Sequence, residues 1–335
     1  MAHEVESMFY RGETPWHGLG VRCSEAPNTE EAIRLAGLDW DVGFKQLKTP
    51  DGEIADHRFT YRMSDGRKLG EVGPNYEIFQ NRDAFCWFEP YLSSGEAKLE
   101  TAGSLRNGRY VWILAELTGD PIVVVPRADD IVRRFLILAH AHDGTLATNL
   151  GYTPTRVVCQ NTLSAALHSK TSTLLRVRHT RRMKQALAQV RDIMNLANRT
   201  FEATGEQYRQ LARKGVVEAD LRRYVNMVFR PQKAAARAST AMVLASQREI
   251  IDAEFIDDDE PKDRIYPKVH RLFVQGRGNQ LPGVAGTMWA AYNAVTEYLS
   301  YERGKDVDIR VGSNWFGDAA DINRRALSVA VQMAA

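Results

Sequence analysis

The stretch RRFLILAHAHDGTLATNLGYTPTRVV, residues 133–158, decides the fold. Two strand-like runs flank Asp143-Gly144. Asp-Gly between such runs is a hairpin signal, because a tight turn needs residues that tolerate positive φ. Alternation along the first run puts Leu136, Leu138, His140 and His142 on one face. The segment before it, KLETAGSLRNGRYVWILAEL (98–117), has the same form and turns at Asn107-Gly108. Consecutive hairpins predict an antiparallel sheet.

Working outward, residues 1–24 are rich in Gly, Pro and Trp and read as an ordered arm. NTEEAIRLAGL (28–38) starts on an Asn cap, has acids in its first turn and stops at Gly37, the pattern of a short helix. Trp40, Val42 and Phe44 alternate, as do Phe59, Tyr61 and Met63; SDGR (64–67) then turns the chain into KLGEVG. NRDAFCWFEPYLSSG (81–95) predicts a helix capped by Asn81 and perturbed by Pro90, and QNTLSAALHS a helix opened by Gln160 and Asn161. The second half is helical. From Met183 to Leu211, apolar residues at Leu187, Val190, Met194, Ala197, Phe201, Tyr208 and Leu211 form a heptad seam. That seam fits a helix packed on its own domain or one that assembles with a second copy. Helices are also expected at 217–229, 235–255, 286–299 and 313–334, with an acidic loop at 256–263. The expected class is α+β: an antiparallel sheet of hairpins with short helices over 1–170, then a helical region over 171–335, packed as one continuous unit.

The chain has 335 residues, 44% hydrophobic and 26% charged, enough for a sizeable core. Its net charge of +2 points to no partner, so an argument for nucleic acid rests on local patches. Three scattered cysteines, Cys23, Cys86 and Cys159, make no disulfide framework and fit a reducing compartment. No run of ~20 apolar residues suggests a membrane span, and the N-terminus has no signal-peptide pattern. The cytoplasm is expected. QGRGNQLPGVAGT (275–287) lacks the Lys-Ser/Thr ending of a phosphate loop, so no nucleotide enzyme is indicated and no cofactor is expected.

Several segments occur in a familiar order: HEVESMFYRGETPWHGLG, EVGPNYEIFQNRDAF, KLETAGSLRNGRYVW, HDGTLATNLGYTPTRVVCQNTL, WAAYNAVTEY and SNWFG. Together they resemble the phage/plasmid-like proteins of the domain-of-unknown-function 932 family, over nearly the whole chain. The resemblance implies a protein carried by mobile elements. It supplies no catalytic residues and no activity.

Three chemistries compete for residues 136–184. His140 and His142 on one strand face can ligate a metal with Cys159 or His168, but no second close ligand pair accompanies them, so none is expected. Cys159 at a helix start, with His142 as base, Asp143 beside it and Asn161 to orient it, can form a thiol hydrolase; no protease signature surrounds it, and no catalytic residue is assigned. The favoured expectation is a grip on nucleic acid, single-stranded DNA in particular, during replication or recombination, with strand annealing as the concrete role. Arg156, Gln160 and Asn161 would hold phosphate at a helix terminus. Lys170, Arg176, Arg178, Arg181, Arg182 and Lys184, a basic run without an acid, would extend the contact. Trp16 and Trp315 would stack bases. Lys45, Lys48 and Arg67 lie scattered among acids and are expected to matter less. An interaction module that assembles through 183–211 and acts on a host factor remains the third alternative.

Overall fold

The structure is a computed structural model that describes residues 5–12, 20–48, 50–156, 161–162, 175–180, 190–229, 264–304, 313 and 318–335. The chain divides into two compact units, each built from separate stretches. Unit 1 takes Met1–Gly119, Phe135–Gly151 and Leu174–Met194; unit 2 takes Asp120–Arg134, Tyr152–Thr173 and Asn195–Ala335.

Unit 1 is a largely antiparallel sheet with helices and a small second sheet. Strand β1 (Val5–Arg11) pairs in parallel with β2 (Val21–Cys23) and antiparallel with β6 (Ala97–Leu105). The expected hairpin follows: β6 turns through Asn107-Gly108 into β7 (Tyr110–Leu117), and Gly108 takes φ +86°, a conformation that costs glycine nothing. β7 pairs antiparallel with β9 (Asp130–Ala141) from Tyr110↔Ala141 to Glu116↔Phe135. β9 neighbours β10 (Thr148–Arg156) across the Asp143-Gly144 turn. Leu99, Ala102, Ile113, Leu136 and Leu138 from this sheet share one core with Ile33, Ala84, Phe85 and Phe88.

Ile33, Ala84 and Phe85 come from the first two of three short helices, and Phe88 caps the third. α1 (Thr29–Leu35) opens on the expected Asn28 cap, which Glu31 completes as a capping box. The single helix expected over 81–95 is two: α2 (Asn81–Cys86) and α3 (Glu89–Ser93), with Pro90 in the first turn of the second, where its missing N–H costs nothing. Asn81 does not cap. Gln80 holds the cap position without a side-chain bond, and the buried Asn81 amide donates instead to the carbonyls of Leu38 (3.1 Å) and Trp40 (3.4 Å).

Strands β3 (Val42–Lys48), β4 (Ile54–Arg62) and β5 (Lys68–Val72) form a separate three-stranded antiparallel meander. Val42, Thr60, Arg62 and Val72 are buried on its inner face.

In unit 2, β8 (Ile122–Val125) forms a hairpin with the start of β9, an element without a clear sequence signal. The helices are α4 (Val190–Arg213), α5 (Glu218–Phe229), α6 (Ile265–Gln275), α7 (Met288–Glu297, continued by a π-helical turn, Tyr298–Glu302) and α8 (Asp318–Ala334). Every residue of α7 is buried, so it is the central helix of the unit rather than a half-exposed one. Trp289 on α7 donates its Nε1–H to the fully buried Asp130 carboxylate at 2.7 Å. Of the heptad seam, Phe201, Tyr208 and Leu211 are buried in this unit's own core. The helix expected at 235–255 and the acidic loop at 256–263 lie outside the described residues.

Candidate functional site

The sequence around Asp143 builds a buried polar cluster in unit 1. Ala141 ends β9, and the chain then turns through His142, Asp143 and Gly144. The Asp143 carboxylate caps its own turn, accepting from the Thr145 backbone N–H at 2.9 Å and from the Thr145 hydroxyl at 2.6 Å. This is the local side-chain-to-backbone bond that favours Asp in turns. Tyr110 completes it, its hydroxyl 2.6 Å from Thr145 Oγ1.

The turn is also held from outside. His142 N–H donates to the Arg109 carbonyl (2.8 Å), Tyr76 OH to the Ala141 carbonyl (3.0 Å) and Thr60 OH to the His142 carbonyl (2.7 Å). Gly70 on β5 passes so near that a Cβ there would lie 2.2 Å from the Asp143 Cβ.

Beneath the turn lie three histidines. His140 and His142, on one face as the strand pattern requires, meet edge to face at 4.7 Å between ring centroids. His179 joins them at 5.9 Å from His140 and stacks on Tyr76 at 4.9 Å. Phe79 (5.1 Å from His140) and Trp40 (5.5 Å from His142) close the group. His142 Nε2 lies 3.0 Å from Asn81 Oδ1, and His179 Nε2 lies 3.1 Å from Thr148 Oγ1. Neither ring nitrogen of His140 has a hydrogen-bond partner among the described residues.

Burial governs the charge of this cluster. It holds all three imidazoles below the ordinary range: His142 falls to about 3, with His179 and Arg62 as further causes, and His179 to about 4, against a raising contribution from the Glu77 backbone. His140 is lowered by burial, then by its two histidine neighbours. At neutral pH the cluster is therefore uncharged. Among the described residues, no group of three His, Cys, Asp or Glu side chains is arranged to hold a metal ion. His140 and His142 are fully buried and His179 nearly so. The arrangement acts as a polar, aromatic brace for the turn.

The expected nucleic-acid residues fall elsewhere. Arg156 at the end of β10 pairs with Asn161 in β11 (Asn161–Thr162). That corrects the helix expected to open at Asn161: the chain doubles back after Arg156, and Asn161 sits in a ladder rather than at a free helix terminus. Another unexpected strand is β12 (Leu175–Val177), which pairs with β10 from Thr148↔Val177 to Leu150↔Leu175. Val177 points into the core, while Arg176 and Arg178 on either side of it are exposed. Cys159, Gln160, His168, Lys170, Arg181, Arg182, Lys184, Trp16 and Trp315 lie outside the described residues.

Sequence reasoning found His140, His142 and Asp143 but missed His179, Asn81, Tyr76 and Thr60 as their partners. His179 was visible only as part of a basic run. Its signal was the alternation of Arg176, Val177, Arg178 and His179, which turns His179 inward with Val177.

The family model described as a domain of unknown function, DUF932, matches residues 68–326. Neither the curated proteins nor the solved structures contain a match. The matched span takes in the His-Asp-Gly turn, the three histidines and most of the helical unit, and the chain belongs to the DUF932 family.

Proposed function

We propose that this protein binds single-stranded nucleic acid, in replication or recombination of a mobile element, with strand annealing as its concrete role. The observation that carries the reading is the pair Arg176, on β12, and Arg178, just past its end, both exposed around a buried Val177. The covered part of the Arg176 side chain, and then the neighbouring Arg178 charge, hold its guanidinium below the ordinary range. The two neighbouring cations repel each other. Phosphate bound between them relieves that repulsion, and arginine matches phosphate with a planar fork of donors. The alternation around the buried Val177 turns both side chains to the same exposed face. The basic run continues in sequence through Arg181, Arg182 and Lys184, which multiplies the attraction for a polyanion. The family resemblance to phage and plasmid proteins fits such a role.

The test is binding of a labelled single strand, and of the same sequence as a duplex, from low to physiological salt. Wild type is expected to prefer the single strand. Arg176→Ala with Arg178→Ala should weaken binding and lower the salt slope by roughly 1.4, about 0.7 for each lost contact on a single strand. The reading fails if wild type has no affinity for either form at low salt.

A further inference from the structure

The small sheet has an outer face that the brace does not use. Thr60 and Arg62 on β4 point inward and are buried, so Phe59 and Tyr61 point outward, and both rings are half-exposed. The register sets two rows across this face: Lys45, Phe59 and Glu71 in one, Gly43, Tyr61 and Lys68 in the next. The Tyr61 ring lies across Gly43, where a Cβ would meet it at 2.9 Å. A side chain at 43 would lift the ring off the sheet; glycine lets it lie flat. The two lysines cross the rows diagonally. Lys45 Nζ stands 4.4 Å from the Tyr61 centroid and Lys68 Nζ 5.5 Å from the Phe59 centroid. Both lysines are exposed, His57 is the next outward residue on β4, and Glu71 is the one acid in the two rows.

We propose that this face is a base-stacking platform for single-stranded nucleic acid, with Phe59 and Tyr61 under successive bases and Lys45 and Lys68 on the flanking phosphates. The proposal rests on the nucleic-acid reading above and gives it a second contact, on residues whose lysines look unremarkable in sequence. Two residues along a strand are about 6.8 Å apart. That is about twice the 3.4 Å step per nucleotide of a duplex strand, so the rings suit bases drawn apart in an extended single strand. The lysines now over the rings do not block it. A cation–π contact at an exposed site is worth about two- to fivefold in an equilibrium, whereas a base stacked on an aromatic ring is worth about tenfold. A base therefore displaces the ammonium from the ring, and the freed lysine reaches the adjacent phosphate. A duplex offers no free base face to either ring, so the platform selects single strands.

The test compares an oligothymidylate with an abasic oligomer of equal length and charge. Wild type is expected to bind the thymidylate more tightly. Phe59→Leu with Tyr61→Leu should cut thymidylate affinity about tenfold or more and abolish the preference, leaving the abasic oligomer and the salt slope unchanged. Lys45→Gln with Lys68→Gln changes only exposed ends and should weaken both oligomers alike, lowering the salt slope by roughly 1.4. The platform is refuted if the folded ring variant still prefers thymidylate as wild type does, or, should that variant not fold, if the lysine variant keeps the wild-type slope. Binding lost on changing Arg176 and Arg178 but untouched by both platform variants sinks the platform and leaves nucleic-acid binding standing. Absence of wild-type binding to either oligomer at low salt sinks both.

Discussion

The Thr60 hydroxyl donates to the His142 carbonyl at 2.7 Å, which ties the middle strand of the small sheet to the turn that ends β9. Both residues are fully buried. The bond links two sheets whose strands share no ladder, and it fixes the carbonyl just where the backbone leaves regular pairing. A buried carbonyl without a partner is costly, so this hydroxyl is part of what keeps the turn in place.

Thr60→Val keeps the shape and removes the donor, leaving the His142 carbonyl unpaired. A loss of about 1–3 kcal/mol is expected. Gly70→Ala acts on the same junction by crowding, since its Cβ would fall 2.2 Å from the Asp143 Cβ. Overpacking of this kind costs about 1–3 kcal/mol. Urea unfolding followed by circular dichroism measures both, and unchanged midpoints would show that the two sheets are not coupled through this turn.

The histidine cluster gives the fold a pH dependence with a definite sign. His142 and His179 have folded pKa values near 3 and 4, below the ordinary 6.5 they regain on unfolding. The unfolded chain therefore binds more protons between these values. The stabilisation is fully present above pH 6.5 and is lost as pH falls towards 4, at up to about 1.4 kcal/mol per pH unit for each histidine. Arg62 beside His142, and each neighbouring imidazole once it is protonated, repel the new positive charges. Unfolding midpoints should drop steeply between neutral pH and pH 5. A flat profile over that range, or imidazole carbon shifts that titrate near 6.5 in the folded state, would contradict the buried neutral cluster.

His140 carries two buried nitrogens without partners, a net cost of burial. His140→Leu removes both and keeps a similar volume, so it should leave stability unchanged or raise it by about 1 kcal/mol. His142→Leu strips Asn81 Oδ1 of its ring partner and should destabilise by about 1–3 kcal/mol. Calorimetric melting separates the pair. The opposite order would mean that His140 holds something the protein needs.

In unit 2, Trp289→Phe removes the Nε1–H that meets the buried Asp130 carboxylate at 2.7 Å. Hydrogen bonds to a buried charge are among the stronger ones, so a loss of about 2–3 kcal/mol is expected, and Asp130→Asn in the same background should recover part of it. Thermal melts of the single and double variants form the cycle; additive losses would show that the two side chains are not coupled.

The hairpins at Asn107-Gly108 and Asp143-Gly144, the Asn28 cap of α1 and the amphipathic run into α8 were all legible in the sequence, because each is set by residues within a few positions of one another. Strands β8 and β12 were not. Ile122–Val125 and Leu175–Val177 are too short to show a period, and their extended form comes from partners on β9 and β10. Asn81 misled for a related reason: its local position favours a helix cap, but a buried amide within reach of two carbonyls and an imidazole bonds inward instead.

By itself the sequence determined the α+β class, the turns and the pairing of His140 with His142 on one face, since strand periodicity and turn chemistry act over short range. Only the tertiary structure decided what those histidines meet. His179, Thr148, Asn81 and Tyr76 are brought to them by separate elements, and burial there, not residue type, holds the imidazoles neutral. The same holds for the outer face of the small sheet. Phe59 and Tyr61 alternate visibly in sequence, but the cross-strand register alone sets a lysine over each ring. Pairing register depends on packing against distant residues, which no local pattern encodes.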